Sequence, residues 1–266
     1  MYYDRTNQAI LAVSFGTSFN GNRSITIGAI ESTLAECFPE YTVRRAFTSG
    51  MIAAKLLKRD GIVIDNVEQA LDKLEKEGFL RVIIQPTTLL EGDEYSIISE
   101  ISKRFEDRFV EIKIGHSLLG TEEDIEKMAD VLDRITKDYD AEDTARVFMG
   151  HGTEHGANSV YGILQKAVNS KGIRNLFIGT VEASPNVEDM IDLAKKSGCK
   201  KAVLTPLMIV AGDHANNDMA GKDDSWKTKF EEAGFEVCCR LVGLGSEYEI
   251  QKMIADNCRE LLPKEE

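Results

Sequence analysis

A chain of 266 residues, 42% hydrophobic and 29% charged, has enough apolar material for a real core and, at about 150 residues per domain, forms one large domain or two small ones. Its 32 basic against 45 acidic residues, net −13, exclude a general electrostatic footprint for nucleic acid or an anionic membrane. Five cysteines without a CxxC read as reduced thiols of a cytoplasmic protein, and the start MYYDRTNQAILAVSFG, with Asp4 and Arg5 before a short apolar run, is neither a signal peptide nor a membrane span.

Short β-branched or apolar runs alternate with longer helical patterns. Strands are predicted at 9–15, 42–47, 81–86, 110–114, 145–149, 174–179, 201–205 and 236–242, each bounded by Gly, Pro or Asp. Two helices are clear from their apolar faces. One spans 121–137, with Thr121 as N-cap. The other spans 246–262, where Ser246 and Glu249 have capping-box spacing. Alternating strand and helix implies βαβ units around parallel sheets buried on both faces. The polar, acidic stretch 137–144 (KDYDAEDT) reads as the linker. The expected organisation is an N-terminal α/β domain over 1–138 and a C-terminal one over 139–266, with the last helix able to pack back on the first domain.

Residues 66–95 align without a gap on 186–215, at a constant offset. Asn-Val-Glu opens both segments, and Gly78, Pro86 and Gly92-Asp93 fall on Gly198, Pro206 and Gly212-Asp213. Each segment reads as helix, Gly stop, strand, Pro, apolar loop, Gly-Asp. This predicts two similar domains related by a pseudo-two-fold. Glu94 of the first copy falls on His214 of the second, both beyond the C-terminal end of a strand, where open α/β sheets bind ligands.

Of the four histidines, His151 and His155 follow the strand 145–149 in FMGHGTEHGANSVY, and His116 follows 110–114. Neutral imidazole suits first-row divalent metals, and Glu182, after the strand 174–179, supplies a carboxylate for a mixed N/O site. The glycines at 150, 152 and 156 make the start of the His151 loop tight, so a shared helical face for His151 and His155 is not assured. A P-loop, HExxH and GxSxG are missing, and GxGxxxG at 150–156 is one residue off a dinucleotide fingerprint.

Four segments carry a family resemblance: Phe15-Gly16-Thr17-Ser18, HGTEHGANSVY at 151–161, VEASP at 181–185 and PLMIVAGDHANNDMAG at 206–221. They resemble the anaerobic cobalt chelatases of cobalamin biosynthesis, class II ATP-independent relatives of ferrochelatase, over about residues 8–262. The resemblance implies two α/β domains with the active site in the cleft between them, and insertion of Co²⁺ into sirohydrochlorin without a nucleotide. It implies His151, Glu182 and His214 as metal ligands, with His151, His214 and Glu94 catalytic and the histidines taking pyrrole protons as they release metal. Relatives are often oligomers, which leaves a homo-oligomer open; His155 is not assigned as a ligand. The sequence departs from the family pattern at Thr88, where relatives carry a His, and at Ala183, where they carry a Gly. A net charge of −13 repels a polycarboxylate substrate, so local donors are needed. Candidates are the backbone N–H groups of Gly16–Ser18 and Gly152–Thr153, with Arg23 and Lys222. The other readings are a chelatase for Fe²⁺ or Ni²⁺, a non-catalytic tetrapyrrole or metal carrier, and a metal-dependent hydrolase using His151, His155 and Glu182.

Overall fold

The computed structural model describes residues 7–262, which leaves Asp4 and Arg5 outside the described residues. The chain forms two compact units. One comprises the residues up to Gly120 together with those from Tyr248 onward; the other is Thr121–Glu247.

The first unit is a four-stranded parallel sheet of β1 (Gln8–Ser14), β2 (Thr42–Phe47), β3 (Arg81–Pro86) and β4 (Glu111–Ile114), in the order β2-β1-β3-β4. The two central strands are almost wholly buried, whereas β4 at the edge is half-buried along its length. That follows from parallel topology, which covers both faces of the inner strands with helices. Ala9, Leu11 and Val13 of β1 pack with Val67, Ala70, Leu71 and Leu74 of α4 (Val67–Lys76) and with Ile98 of α5 (Asp93–Arg104). The helices α1 (Asn20–Ile25), α2 (Ile27–Cys37) and α3 (Gly50–Asp60) complete the segment before α4.

The second unit repeats the plan. Its strands β5 (Thr144–Gly150), β6 (Leu176–Thr180), β7 (Lys201–Pro206) and β8 (Glu236–Cys239) run in the order β6-β5-β7-β8, all parallel. Around them lie α6 (Glu122–Ile135), α7 (Ser159–Ser170), α8 (Val187–Lys196) and α9 (Trp226–Glu232). Ala145, Val147 and Met149 pack on Val187, Met190, Ile191 and Ala194 of α8, with Trp226 and Phe230 of α9.

The repeat holds down to single bonds. Asn66 and Asn186 each close a capping box, Asn66 with Gln69 and Asn186 with Asp189. Each box satisfies two orphan N–H groups at the helix start and is worth about 1 kcal/mol. Val13 pairs with Pro86 as Met149 pairs with Pro206. Beyond the strands, Thr87 N–H donates to Val13 O and Leu207 N–H to Met149 O, both at 2.8 Å.

Three details differ from the sequence reading. The division falls at Gly120, not at 138, because α6 packs on α7 inside the second unit. The stretch 137–144 is no linker: Asp140, with Asp133 of α6, holds the buried Arg146 of β5 (Nη1 to Asp133 Oδ1 2.7 Å, Nη2 to Asp140 Oδ1 3.5 Å). The final helix, α10, spans Tyr248–Arg259 and packs on α2 and β3 of the first unit. Ser246 does not cap it; its hydroxyl closes a tight turn on Gly243 O (2.8 Å). Thr121 does cap α6, accepting from Asp124 N–H at 3.1 Å.

No helix among the described residues is long and apolar enough to cross a membrane.

Candidate metal centre

The site grows from the C-terminal end of the second sheet. Gly150 ends β5, and His151 follows. Gly152 sits at φ +84°, and a Cβ there would lie 2.8 Å from Ala183 N. Only glycine allows both that backbone and that approach. The close approach lets the parallel pairing of β5 with β6 run on past the strand ends: Val181 N–H donates to Gly150 O (3.0 Å) and Glu182 N–H to His151 O (2.8 Å). Asn158 then ties the two loops, accepting from Thr153 N–H (3.1 Å) and donating to Ser184 O (2.9 Å). His151 and Glu182 are thus held side by side by backbone, with Nε2 3.6 Å from Oε1.

His214 arrives from the next strand of the same sheet. After β7 the chain passes Gly212 into a turn that starts at Asp213 and continues as a π-helical turn, Ala215–Met219. Ala215 and Met219 are fully buried and anchor it. The His214 ring stands edge-on to the His151 ring, centroids 4.6 Å apart. One ligand atom each from His151, Glu182 and His214 lies within 4.8 Å of the others. Metal–ligand bonds of about 2.1 Å at tetrahedral angles put neighbouring ligand atoms about 3.4 Å apart, so a small closure of these side chains encloses an ion.

Hydrogen bonding sets the nitrogen that each imidazole offers. His151 Nδ1 is 2.7 Å from Gly152 O, and His214 Nδ1 is 2.7 Å from Asp218 Oδ2. A carbonyl or carboxylate oxygen accepts, so Nδ1 is the donor in both rings, and in the neutral imidazole the lone pair is left on Nε2. Two imidazole nitrogens and one carboxylate oxygen form a borderline donor set for first-row divalent ions. Three protein donors on exposed loops leave coordination positions open, as a site that exchanges its metal requires.

The remaining candidates fall elsewhere. His155 is exposed and caps the short 3₁₀ turn after it, its Nδ1 accepting from Ala157 N–H (3.0 Å). It does not join the cluster, so a His151–His155–Glu182 hydrolase site is not assembled. His116 lies in the first unit, its ring 3.2 Å from Asn257 of α10 and 3.5 Å from Glu260. The Thr88 hydroxyl pairs with Ser117 (2.8 Å), and Ala183 is not among the residues at positive φ. Of the expected anion donors, Thr153 N–H is already committed to Asn158. Arg23 is buried with its guanidinium toward Thr17 O (3.4 Å), and Lys222 is exposed.

Glu94 occupies the first turn of α5 in the first unit. An acid there gains about 0.3–1 kcal/mol from the helix dipole, less than one pKa unit, whereas burial shifts a carboxyl by up to about 3–5 units. Burial wins, and the Glu94 carboxyl is pushed up to about 7. Sequence reading missed Asp218 and Asn158. The His-x₃-Asp spacing of 214 and 218 was the available signal for the first; nothing local marked the second.

Comparison with known proteins follows the same residues. A family model described as cobalt chelatase (CbiK) matches residues 8–262. The chain is 38% identical over 256 residues to the sirohydrochlorin cobaltochelatase of Salmonella typhimurium, covering 96% of each chain. It is 33% identical over 249 residues to the sirohydrochlorin cobaltochelatase CbiKC of Nitratidesulfovibrio vulgaris, covering 92% of this chain and 86% of that one. In fold it is similar to SirB from Bacillus subtilis, solved with Fe³⁺, at a TM-score of 0.62 and 14% identity over 96% of this chain and 95% of that one. With the family model spanning nearly the whole chain and both sheets within it, this chain belongs to the CbiK family of cobalt chelatases.

Proposed function

We propose that the chain inserts Co²⁺ into sirohydrochlorin, without a nucleotide, using His151, Glu182 and His214 to hold the metal before transfer. The observation that carries this reading is the convergence of those three side chains at the strand ends of one sheet. The names of two relatives at 38% and 33% identity support the substrate. The donor set suits a divalent first-row ion, and its exposure suits a cargo that must leave.

Insertion replaces two pyrrole N–H protons by the metal, so the protein must also take protons. As each imidazole gives up the metal, its Nε2 lone pair is free to accept one. Ligand and base are therefore successive roles of the same nitrogen. Glu94, with its carboxyl pushed up to about 7, is the third acceptor in this reading; a carboxyl tuned to that range accepts and releases protons near neutrality. The five free cysteines fit a reducing compartment, and we place the reaction in the cytoplasm.

The test is anaerobic mixing of the protein with sirohydrochlorin and Co²⁺, following the absorbance change of insertion against a protein-free control. Several turnovers per chain are expected. Pigment binding without acceleration would replace the reading by a carrier, and faster turnover with Fe²⁺ or Ni²⁺ would replace the metal.

A further inference from the structure

The two imidazoles of the site are not supported alike. His151 donates from Nδ1 to a neutral backbone carbonyl, Gly152 O. His214 donates to a side-chain carboxylate oxygen, Asp218 Oδ2; both distances are 2.7 Å. We propose that Asp218 is a positioning residue of the metal site, orienting His214 and making its Nε2 the stronger donor to the metal. The inference rests on the reading of His151, Glu182 and His214 as the metal-holding set.

Four observations support it. His214 and Asp218 are four residues apart on one turn, which places them on one face. That turn is π-helical, a geometry that recurs at functional sites. It is locally braced: Asn217 Nδ2–H donates to Asp213 Oδ1 (2.9 Å) and Asn216 Nδ2–H to Gly212 O (2.6 Å). The buried Ala215 and Met219 fix its other face, so Asp218 is delivered to the ring by a rigid element. A carboxylate on the distal nitrogen of a metal-binding His fixes tautomer and ring orientation and raises donor strength.

The plain alternative is a surface His–Asp pair. Asp218 and His214 are both partly exposed, and such a pair adds little to folding. The two roles therefore separate by readout. Removing a surface pair leaves metal affinity alone; removing a positioning carboxylate weakens metal binding about 10- to 100-fold while folding is unchanged.

The experiment titrates Co²⁺ anaerobically into wild type, His214→Ala, Asp218→Asn, Asp218→Ala and Asp218→Glu. Affinity is read by calorimetry and the ligand field by the visible d–d bands of bound cobalt. A urea midpoint for each variant checks the fold. Wild type is expected to bind one Co²⁺ per chain and His214→Ala to lose it. Asp218→Asn, nearly isosteric, is expected to bind about 10- to 100-fold more weakly with altered bands and an unchanged midpoint. Asp218→Glu should restore part of the loss. Wild-type affinity and bands in both Asp218→Asn and Asp218→Ala, with His214→Ala inactive in binding, would overturn the role of Asp218 alone. Unimpaired binding by His214→Ala would overturn the site itself and the inference with it.

Discussion

The first and second units carry the same sheet but different chemistry at its C-terminal edge. Backbone bonds align them residue by residue. Ser49 N–H donates to Phe15 O (3.2 Å) where Glu182 N–H donates to His151 O (2.8 Å). The repeat aligns Glu94 in sequence with His214. The second unit therefore presents His, Glu and His where the first presents Phe15, Ser49 and Glu94. The reason at the middle position is visible in the chain path. Phe47 N–H reaches Asp65 O just as Thr180 N–H reaches Pro185 O. Between those ends the first unit inserts α3, with Ser49 as its N-cap, whereas the second has only the short loop that bears Glu182. The two units share the scaffold, and their loops decide which copy brings a His, Glu, His cluster together.

The largest expected effect breaks this asymmetry at its source. Converting the second unit toward the first, His151→Phe or His214→Glu, removes an imidazole donor from a three-donor set. Each is expected to lower the rate of cobalt insertion at least about 100-fold if, as proposed, the lost group acts directly on the reacting metal. Phe15→Ala in the first unit, which removes the counterpart of His151, should leave Co²⁺ affinity unchanged. Anaerobic insertion rates and Co²⁺ titration check both; a conversion that keeps more than half of the wild-type rate and affinity would end the assignment of that histidine.

A second pair sharpens the comparison by leaving the donors in place. Gly16 (φ +101°) and Gly152 (φ +84°) hold equivalent positions after β1 and β5. An added Cβ at Gly16 would meet the Phe47 ring at 2.4 Å, and at Gly152 it would meet the backbone of Ala183 at 2.8 Å. Each Gly→Ala change forces a side chain into left-handed backbone and costs about 1–3 kcal/mol of stability, measured by urea unfolding. Only Gly152→Ala is expected to weaken Co²⁺ binding, because the displaced backbone carries Glu182. Equal metal affinity in the two variants would mean that the close approach of the loops does not set the site.

Much of this duplication was legible in the sequence. The Asn-Val-Glu openings at 66 and 186 became the two capping boxes, and the eight strands fell close to their predicted runs. The alignment stopped at residue 66 because α3, present in one copy only, breaks the constant offset upstream. The correspondence of Phe15 with His151 was therefore hidden until backbone bonds showed it. Residue type and strand ends left His155 beside His151, Glu182 and His214; the family resemblance left it unassigned, and the fold gives the physical reason, since its ring is spent on a cap. The acidic stretch 137–144 misled because its charge looked like solvation. In fact Asp140, within it, joins Asp133 in neutralising Arg146, which sits in the core where no sequence rule expects an arginine.

The smallest predicted effect lies at the position where the repeat exchanges Glu94 for His214. Burial pushes the Glu94 carboxyl from its ordinary 4.5 up to about 7. A raised carboxyl favours the protonated native state, so its contribution is fully present below 4.5 and is lost as pH rises through 7. The full shift corresponds to about 3 kcal/mol, and the half-buried position screens this to roughly 1 kcal/mol. Wild type should therefore lose about 1 kcal/mol of stability between pH 5 and pH 8 relative to Glu94→Gln, whose amide does not titrate. Urea unfolding of both proteins at the two pH values reads the difference directly. Parallel curves would mean that Glu94 is ordinarily solvated, and the first unit would then contribute no tuned proton acceptor to the reaction. Curves that diverge as pH rises, with insertion by Glu94→Gln slowed most at pH 7–8 where the wild-type carboxyl is ionised enough to accept a proton, would give the first unit a catalytic task distinct from the metal-holding task proposed for the second.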